Sequence, residues 1–250
     1  KHFGDWKVGA GSGAPAIPSV ANVKQPRVFL IDQPGAVQAN IFAAQLVPSS
    51  KDAGAIAFDM ANMVFGGDFT ARLNMNLRED KHWSYGARSG AAGAVGQRMW
   101  RAAAPVQIDK TAEAVAEIKR EMAEFFGGSR GTNAEELARQ QKGLTLSLPG
   151  AYETAGSVLA TIGSNVLYGR PDDYVVKYKA RNDAMTVADV QAAARTLDPE
   201  ALMYVVVGDL SKVEASVRAL NLGEVTVLDA DGKPVKAIET TSRCATRCAP

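Results

Sequence analysis

The order in which the hydrophobic period changes along the chain restricts its fold more than any other feature. Two strand-like runs come first, RVFLID at 27–32 and VQANIFAAQLV at 37–47, rich in β-branched and aromatic residues and closed by QPG and by Pro48. From Lys51 the period lengthens: Ala53, Ile56, Ala57, Met60 and Val64 follow one helix face, and Gly66-Gly67 stops it. Thr70 opens a second helix with Leu73 and Leu77 on its inner side. Two more strands are expected, at about 84–94 and at 97–108, joined as a hairpin through Gly93 and Gly96.

Helical patterns follow. Val115, Ile118, Met122 and Phe125 make one face, with Glu113, Glu117 and Glu121 opposite. Thr132 and Glu135 have capping-box spacing, and Thr186 with Asp189 caps a shorter helix. Between them Ala155, Val158, Leu159, Ile162 and Val166 define a further apolar helix face. ALMYVVVG at 201–208 is a near-continuous apolar run, expected to be a strand buried on both sides, and Ser211 with Glu214 caps a last helix. This is not a strict β-α-β alternation. It predicts an α+β fold, a mainly antiparallel sheet with helices packed on one face. The Gly-, Pro- and Ser-rich residues 1–24 read as the tail of a preceding unit and a linker, 25–222 as the globular domain, and 223–250 as a loose, polar tail.

Bulk properties exclude several function classes. A chain of 250 residues buries roughly 70–75% of its unfolded surface and needs no staples. A net charge of +1 argues against a dominant attraction to nucleic acid or anionic membrane. No stretch reaches the 18 or so apolar residues of a membrane span. The chain starts at Lys1 rather than methionine, as expected of a fragment or processed product. Cys244 and Cys248 lie in SRCATRCAP, and a C-x3-C pair without a second ligand pair is a poor zinc signature. A floppy tail and a local disulfide both fit, and a disulfide would place the chain outside the cytosol.

His2 and His82 are the only imidazoles, and neither H-E-x-x-H nor H-x-x-E-H occurs. There is no G-x-S-x-G and no cysteine before the tail, which disfavours covalent hydrolysis. GAGSGAP at 9–15 lacks the strand before it and the helix after it that a phosphate loop needs. FGGDFT at 65–70 is either a tight joint between helices or a place where backbone amides receive an anion. What remains is RLNMNLREDKHWSYGARSG, 72–90. Arg78 falls near a helix C-terminus, where its charge suits the dipole. Tyr85 opens a strand of small residues, and Tyr85, Ala87, Ser89 and Ala91 would share one face. Small residues weaken a strand unless another backbone or a ligand must come close. Two readings stay open: an arginine that caps its helix and stacks on the tyrosine ring, or a cation and a phenol aimed outward together.

The stretch FGGDFTARLNMNLREDKHWSYGARSG resembles the C-terminal, non-zinc half of pitrilysin-type zinc peptidases, the family of insulin-degrading enzyme and mitochondrial processing peptidase. The pattern comprises Gly66-Gly67, Thr70, Arg72-Leu73, Leu77-Arg78-Glu79 and Tyr85. VFLIDQPGAVQANIFAAQLVP is similar to the family's paired opening strands, VVVGDLSKV to its closing strand and helix, and HFGDW at 2–6 to the end of the preceding domain in bacterial members. The likeness runs over residues 2–222 and omits 223–250.

The resemblance implies one half of a clamshell peptidase that closes around a peptide. The zinc half activates water on the metal. The other half reaches across the cavity, here with Arg78 and Tyr85 toward the substrate backbone and with Gly66, Gly67, Ser84 and Gly86 around it. It implies no metal site and no cofactor in this chain. Zinc would be held by a partner, either an upstream domain or a separate subunit. The chain alone would then be inactive. The alternative is a non-catalytic structural or scaffold subunit of the same fold. Bacterial relatives point to the periplasm.

Overall fold

The computed structural model describes residues 16–235, together with His2 and Asp5. Six strands among them form one sheet: β1 (Arg27–Asp32), β2 (Gln38–Val47), β3 (Arg88–Ala91), β4 (Arg98–Gln107), β5 (Met203–Gly208) and β6 (Glu224–Leu228). Their spatial order is β3-β4-β2-β5-β1-β6. β2 runs antiparallel to both β4 and β5, and β3 antiparallel to β4, as the hairpin spacing predicts. β1 lies parallel to β5 and to β6, so the α+β sheet is mainly, not purely, antiparallel. Parallel strands need a crossover, and between β5 and β6 it is supplied by helix α8 (Leu210–Ala219).

The helices before it are α1 (Ala55–Asn62), α2 (Arg72–Asn74), α3 (Thr111–Phe126), α4 (Ala134–Ser147), α5 (Ala155–Tyr168), α6 (Tyr174–Ala184) and α7 (Val187–Ala194). The period of two decides which side of the sheet they cover. Val28 and Leu30, Ile41 and Ala43, Trp100 and Ala102, Tyr204 and Val206 all turn to one face and are buried. There they meet Phe58, Val64, Phe65, Ile118, Met122, Phe125 and Val213 in one core. Phe65, Trp100, Phe125 and Phe126 pack ring against ring, with centroids 4.8–6.1 Å apart. The alternate residues, Phe42, Val205 and Val207 among them, stay half-buried on the other face.

Several expectations change at this level. β5 is not buried on both sides: Met203, Val205 and Val207 are only half-buried, because β5 is central in the sheet but helices cover a single face. Residues 224–228 are not a loose tail. EVTVL alternates as a strand should, and it pairs with β1 from Arg27↔Glu224 to Ile31↔Leu228. The boundary at 222 therefore cuts off the last strand, while Cys244 and Cys248 lie outside the described residues. Part of the expected linker is docked: Asn22 exchanges two hydrogen bonds with the backbone of Leu46, and the Gln97 amide does the same with Val20.

The helix ends also differ in detail. The capping box before α4 is Asn133 with Glu136, one residue beyond Thr132 and Glu135. Thr186 and Asp189 do form the box before α7. Asp209, not Ser211, caps α8. Glu121 sits among the buried residues of α3 because Asn76 and Arg120 both donate to it. Val158, Leu159, Ile162 and Val166 of α5 are exposed rather than packed, and Asn165 is the residue of that helix that is buried.

Two joints hold the first helices in place. α1 continues into a π-helical turn, Met63–Gly67, that lies against β3. A Cβ on Gly66 would stand 2.5 Å from Ser89 Oγ and 2.9 Å from Ser89 N. The second joint is Arg72 of α2. Its Nε and Nη2 grip the two oxygens of Glu136 at 2.6 and 2.7 Å, and it also donates to the carbonyls of Arg130 and Gly131. Burial by itself would raise the Glu136 pKa, but the bonds from Arg72 and from Asn133 N outweigh it and hold the carboxyl below the usual glutamate range.

Gly66→Ala is expected to destabilise the chain by about 1–3 kcal/mol, although alanine is the better helix former, because the intruding methyl meets backbone. Urea unfolding of the two proteins measures this. For Glu136, a folded pKa below the unfolded one means that its stabilisation is present above the unfolded value of 4.5 and disappears as pH falls through the folded value. Glu136→Gln should therefore cost about 1.5–3 kcal/mol at neutral pH. It should also flatten the loss of stability on acidification below the unfolded pKa, which thermal melts across a pH series read directly.

Candidate functional site

The segment from Phe69 to Ala91 carries the candidate groups. α2 has a single turn of α-helix and then widens into a π-helical stretch, Met75–Asp80. Leu73 and Leu77 bury its inner side, as their spacing requires. Its N-cap is Ala71, while the Thr70 hydroxyl and amide both bond to Asp68. Arg78 lies on the π-helical stretch. Its guanidinium carbon stands 4.6 Å from the centre of the Phe69 ring, and its Nε 3.4 Å from Glu79 Oε1. Its side chain is 38% exposed. The arginine thus stacks on Phe69, which removes the reading in which it stacks on Tyr85.

The helix ends on Leu77 O, which accepts from both Trp83 N and Ser84 N. His82 adopts a left-handed conformation, φ 58°, and its Nδ1 lies 3.0 Å from Arg78 O. It is exposed at the helix end, and its ring touches the arginine's backbone rather than its guanidinium.

The approach to β3 contains a bulge. Ser84 bridges Val106, and the regular ladder begins at Arg88↔Ala103. Ser84 and Arg88 are four residues apart while their partners are three apart, so one residue is surplus on the β3 side. The surplus residue separates Tyr85 from the face it was expected to share. Ala87 is buried and Ser89 half-buried, whereas Tyr85 is 85% exposed. Strand alternation breaks at the bulge, and the ring is turned outward.

Polar groups inside the chain fix this loop. Ser84 Oγ donates to Pro105 O at 2.6 Å and receives Gly86 N at 3.1 Å. Asn74, almost wholly buried, accepts from Ala87 N at 3.0 Å and donates to Phe69 O at 2.7 Å. One asparagine thereby ties together the turn beneath Phe69, the π-helical segment and the bulge. The other glycines and the serine named from the sequence divide. Gly66 is buried under Ser89, and Gly67 is crowded by Met63 Sδ and Asn62 O, so helix packing accounts for both. The Ser84 hydroxyl is occupied by the turn. At Gly86 a Cβ would find its nearest neighbour, Asn74 Oδ1, at 3.7 Å, so nothing within the chain requires glycine there.

Phe69, Asn74 and Glu136 were not found by sequence reasoning. Asn74 meets a residue thirteen positions away and Arg72 one sixty-four away, separations that no periodicity reports. Among the described residues no three His, Cys, Asp or Glu side chains converge as metal ligands, and no helix is long and apolar enough to cross a membrane.

The fold is shared with several solved structures. The peptidase M16 inactive domain from Pseudomonas fluorescens superposes with a TM-score of 0.68 at 21% identity, over 77% of this chain and 47% of that one. The periplasmic protease PqqL from Escherichia coli gives 0.63 at 16%, over 80% and 22%. A chain of complex III2 from Candida albicans gives 0.57 at 13%, over 78% and 49%. This chain therefore spans about half the length of the first of these, and less of PqqL. A search of curated proteins returns no match. The family model described as "Peptidase M16 inactive domain" matches residues 1–144, more than half of the sequence and the whole of the Arg78–Tyr85 segment, and the chain belongs to that family.

Proposed function

We propose that this chain is the substrate-contacting, metal-free half of a zinc endopeptidase, with Arg78 and Tyr85 directed to the backbone of a bound peptide. The observation that carries the reading is the outward turn of Tyr85 at the bulge, close in sequence to a helix end whose arginine, among the described residues, is paired in charge with the exposed Glu79. Bulges concentrate beside functional sites because they re-aim side chains. Phe69 restricts the guanidinium by stacking while leaving its N–H groups available.

The chemistry follows from the two head groups. Attack of water on a peptide carbonyl builds negative charge on its oxygen. An N–H of Arg78 and the O–H of Tyr85 donate to the peptide's carbonyl oxygens, and a donor aimed at the developing charge lowers the barrier. Both sit on segments whose backbone is fixed by Asn74 and Leu77, so little reorganisation is needed when charge develops. The described residues do not fit a zinc site, and in this proposal the metal belongs to a partner half, in the same polypeptide or on a second subunit. The periplasm is the compartment we propose. The fold likeness to the periplasmic protease PqqL supports it.

A second reading, a structural subunit with an idle pair, draws support from the fold likeness to a chain of complex III2. Substitution separates the two. In the assembled enzyme, Arg78→Ala and Tyr85→Phe should each lower kcat/KM on the order of 10²–10³-fold, with the melting temperature of this chain unchanged. Unaltered turnover in both variants would favour the structural subunit. The 250-residue chain by itself should bind no stoichiometric zinc and cleave no fluorogenic peptide. Chelator-sensitive cleavage by the pure chain overturns the division of labour proposed here.

A further inference from the structure

A cavity of about 570 Å³ opens between α1, α5 and α6, against the turns at Ser50 and Gly93. None of its lining residues belongs to the segment from Phe69 to Tyr85. Its charge is unevenly balanced. Arg98, deeply buried, gives Nη1 to Asp59 Oδ1 at 2.7 Å and Nε to Pro48 O, so its charge is matched within the chain. Arg170 is different. Its guanidinium carbon lies 4.6 Å from the ring centre of Tyr168 and 4.3 Å from that of Tyr174. Nη1 reaches the neutral Ser164 hydroxyl at 3.2 Å and Nη2 the Ser50 carbonyl at 3.5 Å. Among the described residues no carboxylate lies at ion-pair distance from Arg170, although its charge also favours the ionised form of Asp59 in the same cavity. The cation is held in a fixed orientation by two rings, with N–H donors to spare.

Asn165 sharpens the inference. It lines the same cavity, is only 9% exposed, and its side-chain amide takes part in no hydrogen bond among the described residues. Its amide atoms are not sealed from solvent, so they are open to a group that enters the cavity. The wall mixes these polar groups with Ser50, Asp59 and Thr161 and with the apolar or aromatic surfaces of Ile56, Leu148, Val175 and the tyrosine rings. A concavity in which convergent polar groups adjoin apolar and aromatic surface offers a small ligand both kinds of contact.

We infer that this cavity binds a monocarboxylate carried on an apolar or aromatic body, its carboxylate on Arg170 and Asn165 and its body among the tyrosines. A single free guanidinium matches one carboxylate, which it can grip through two parallel N–H bonds. The carboxylate could belong to a free organic acid or to the C-terminus of a peptide, since both present the same group. The inference does not depend on the peptidase reading.

Calorimetric titration of the 250-residue chain with two acids, 4-phenylbutyrate and N-acetyl-Ala-Ala-Phe, and with the amide of each, tests it. At least one acid should bind one-to-one, with its amide at least about tenfold weaker, the usual scale for losing a charge-assisted bond. Binding of phenylbutyrate alone assigns the site to free acids, binding of the peptide alone to chain termini, and binding of both to the carboxylate in either setting. Arg170→Gln should weaken the acid at least about tenfold. Thr161→Trp places a bulky ring in the cavity with Arg170 retained in the sequence and should do the same, so it decides the matter if Arg170→Gln does not fold. The inference is overturned if neither acid binds, if acid and amide bind equally, or if a folded variant keeps the original affinity.

Discussion

The close approach of the first helix to the β3–β4 hairpin is the contact on which the rest depends. Asn62, at the end of α1, receives Ser89 Oγ and Trp100 Nε1, each at 2.7 Å, on its own carbonyl oxygen, and donates to Ser89 O. Gly66 permits that distance by presenting no side chain to Ser89. Trp100 is then pressed into the ring cluster of Phe65, Phe125 and Phe126, which joins the hairpin to α3. A buried amide that serves a hydroxyl, an indole and a backbone carbonyl admits one arrangement of three elements, since any slip leaves a polar group without a partner. The position of β3 follows from this contact, and the bulge that carries Tyr85 follows from the position of β3.

Much of the layout was legible in the sequence because it rests on period. The period-two runs at 27–32 and 37–47 and the pair before and after Gly93 became β1, β2, β3 and β4, and the change of period at Lys51 announced α1. The errors share a cause. Periodicity says that a face is apolar, not that something covers it. The apolar stripe on α5 is exposed, and the apolar run of β5, whose pattern predicts cover on both faces, is covered on one. The strand at 224–228 was lost because a five-residue alternation inside a polar tail carries little signal until a partner such as β1 is known.

The candidate site was legible in part. Arg78 and Tyr85 stood out through residue type, spacing and family likeness, and neither head group is buried. What orients them was hidden. Phe69 under the guanidinium, Asn74 beneath the bulge and the surplus residue before Arg88 emerge only when strand register is known. Gly66 and Gly67 illustrate the converse. Their place in the family pattern suggested contact with a ligand, whereas the space beside Gly66 is taken by Ser89 and that beside Gly67 by Met63.

The irregular step between Ser84 and Arg88 also divides the segment into two registers. Beyond it, side chains obey the demands of the tryptophan-centred interior. Before it, they answer to the helix terminus at Leu77. The two regions are out of phase, so the phenol does not follow the inward alternation that β3 keeps beyond the step. Register on one side of the step and exposure on the other are set by different partners.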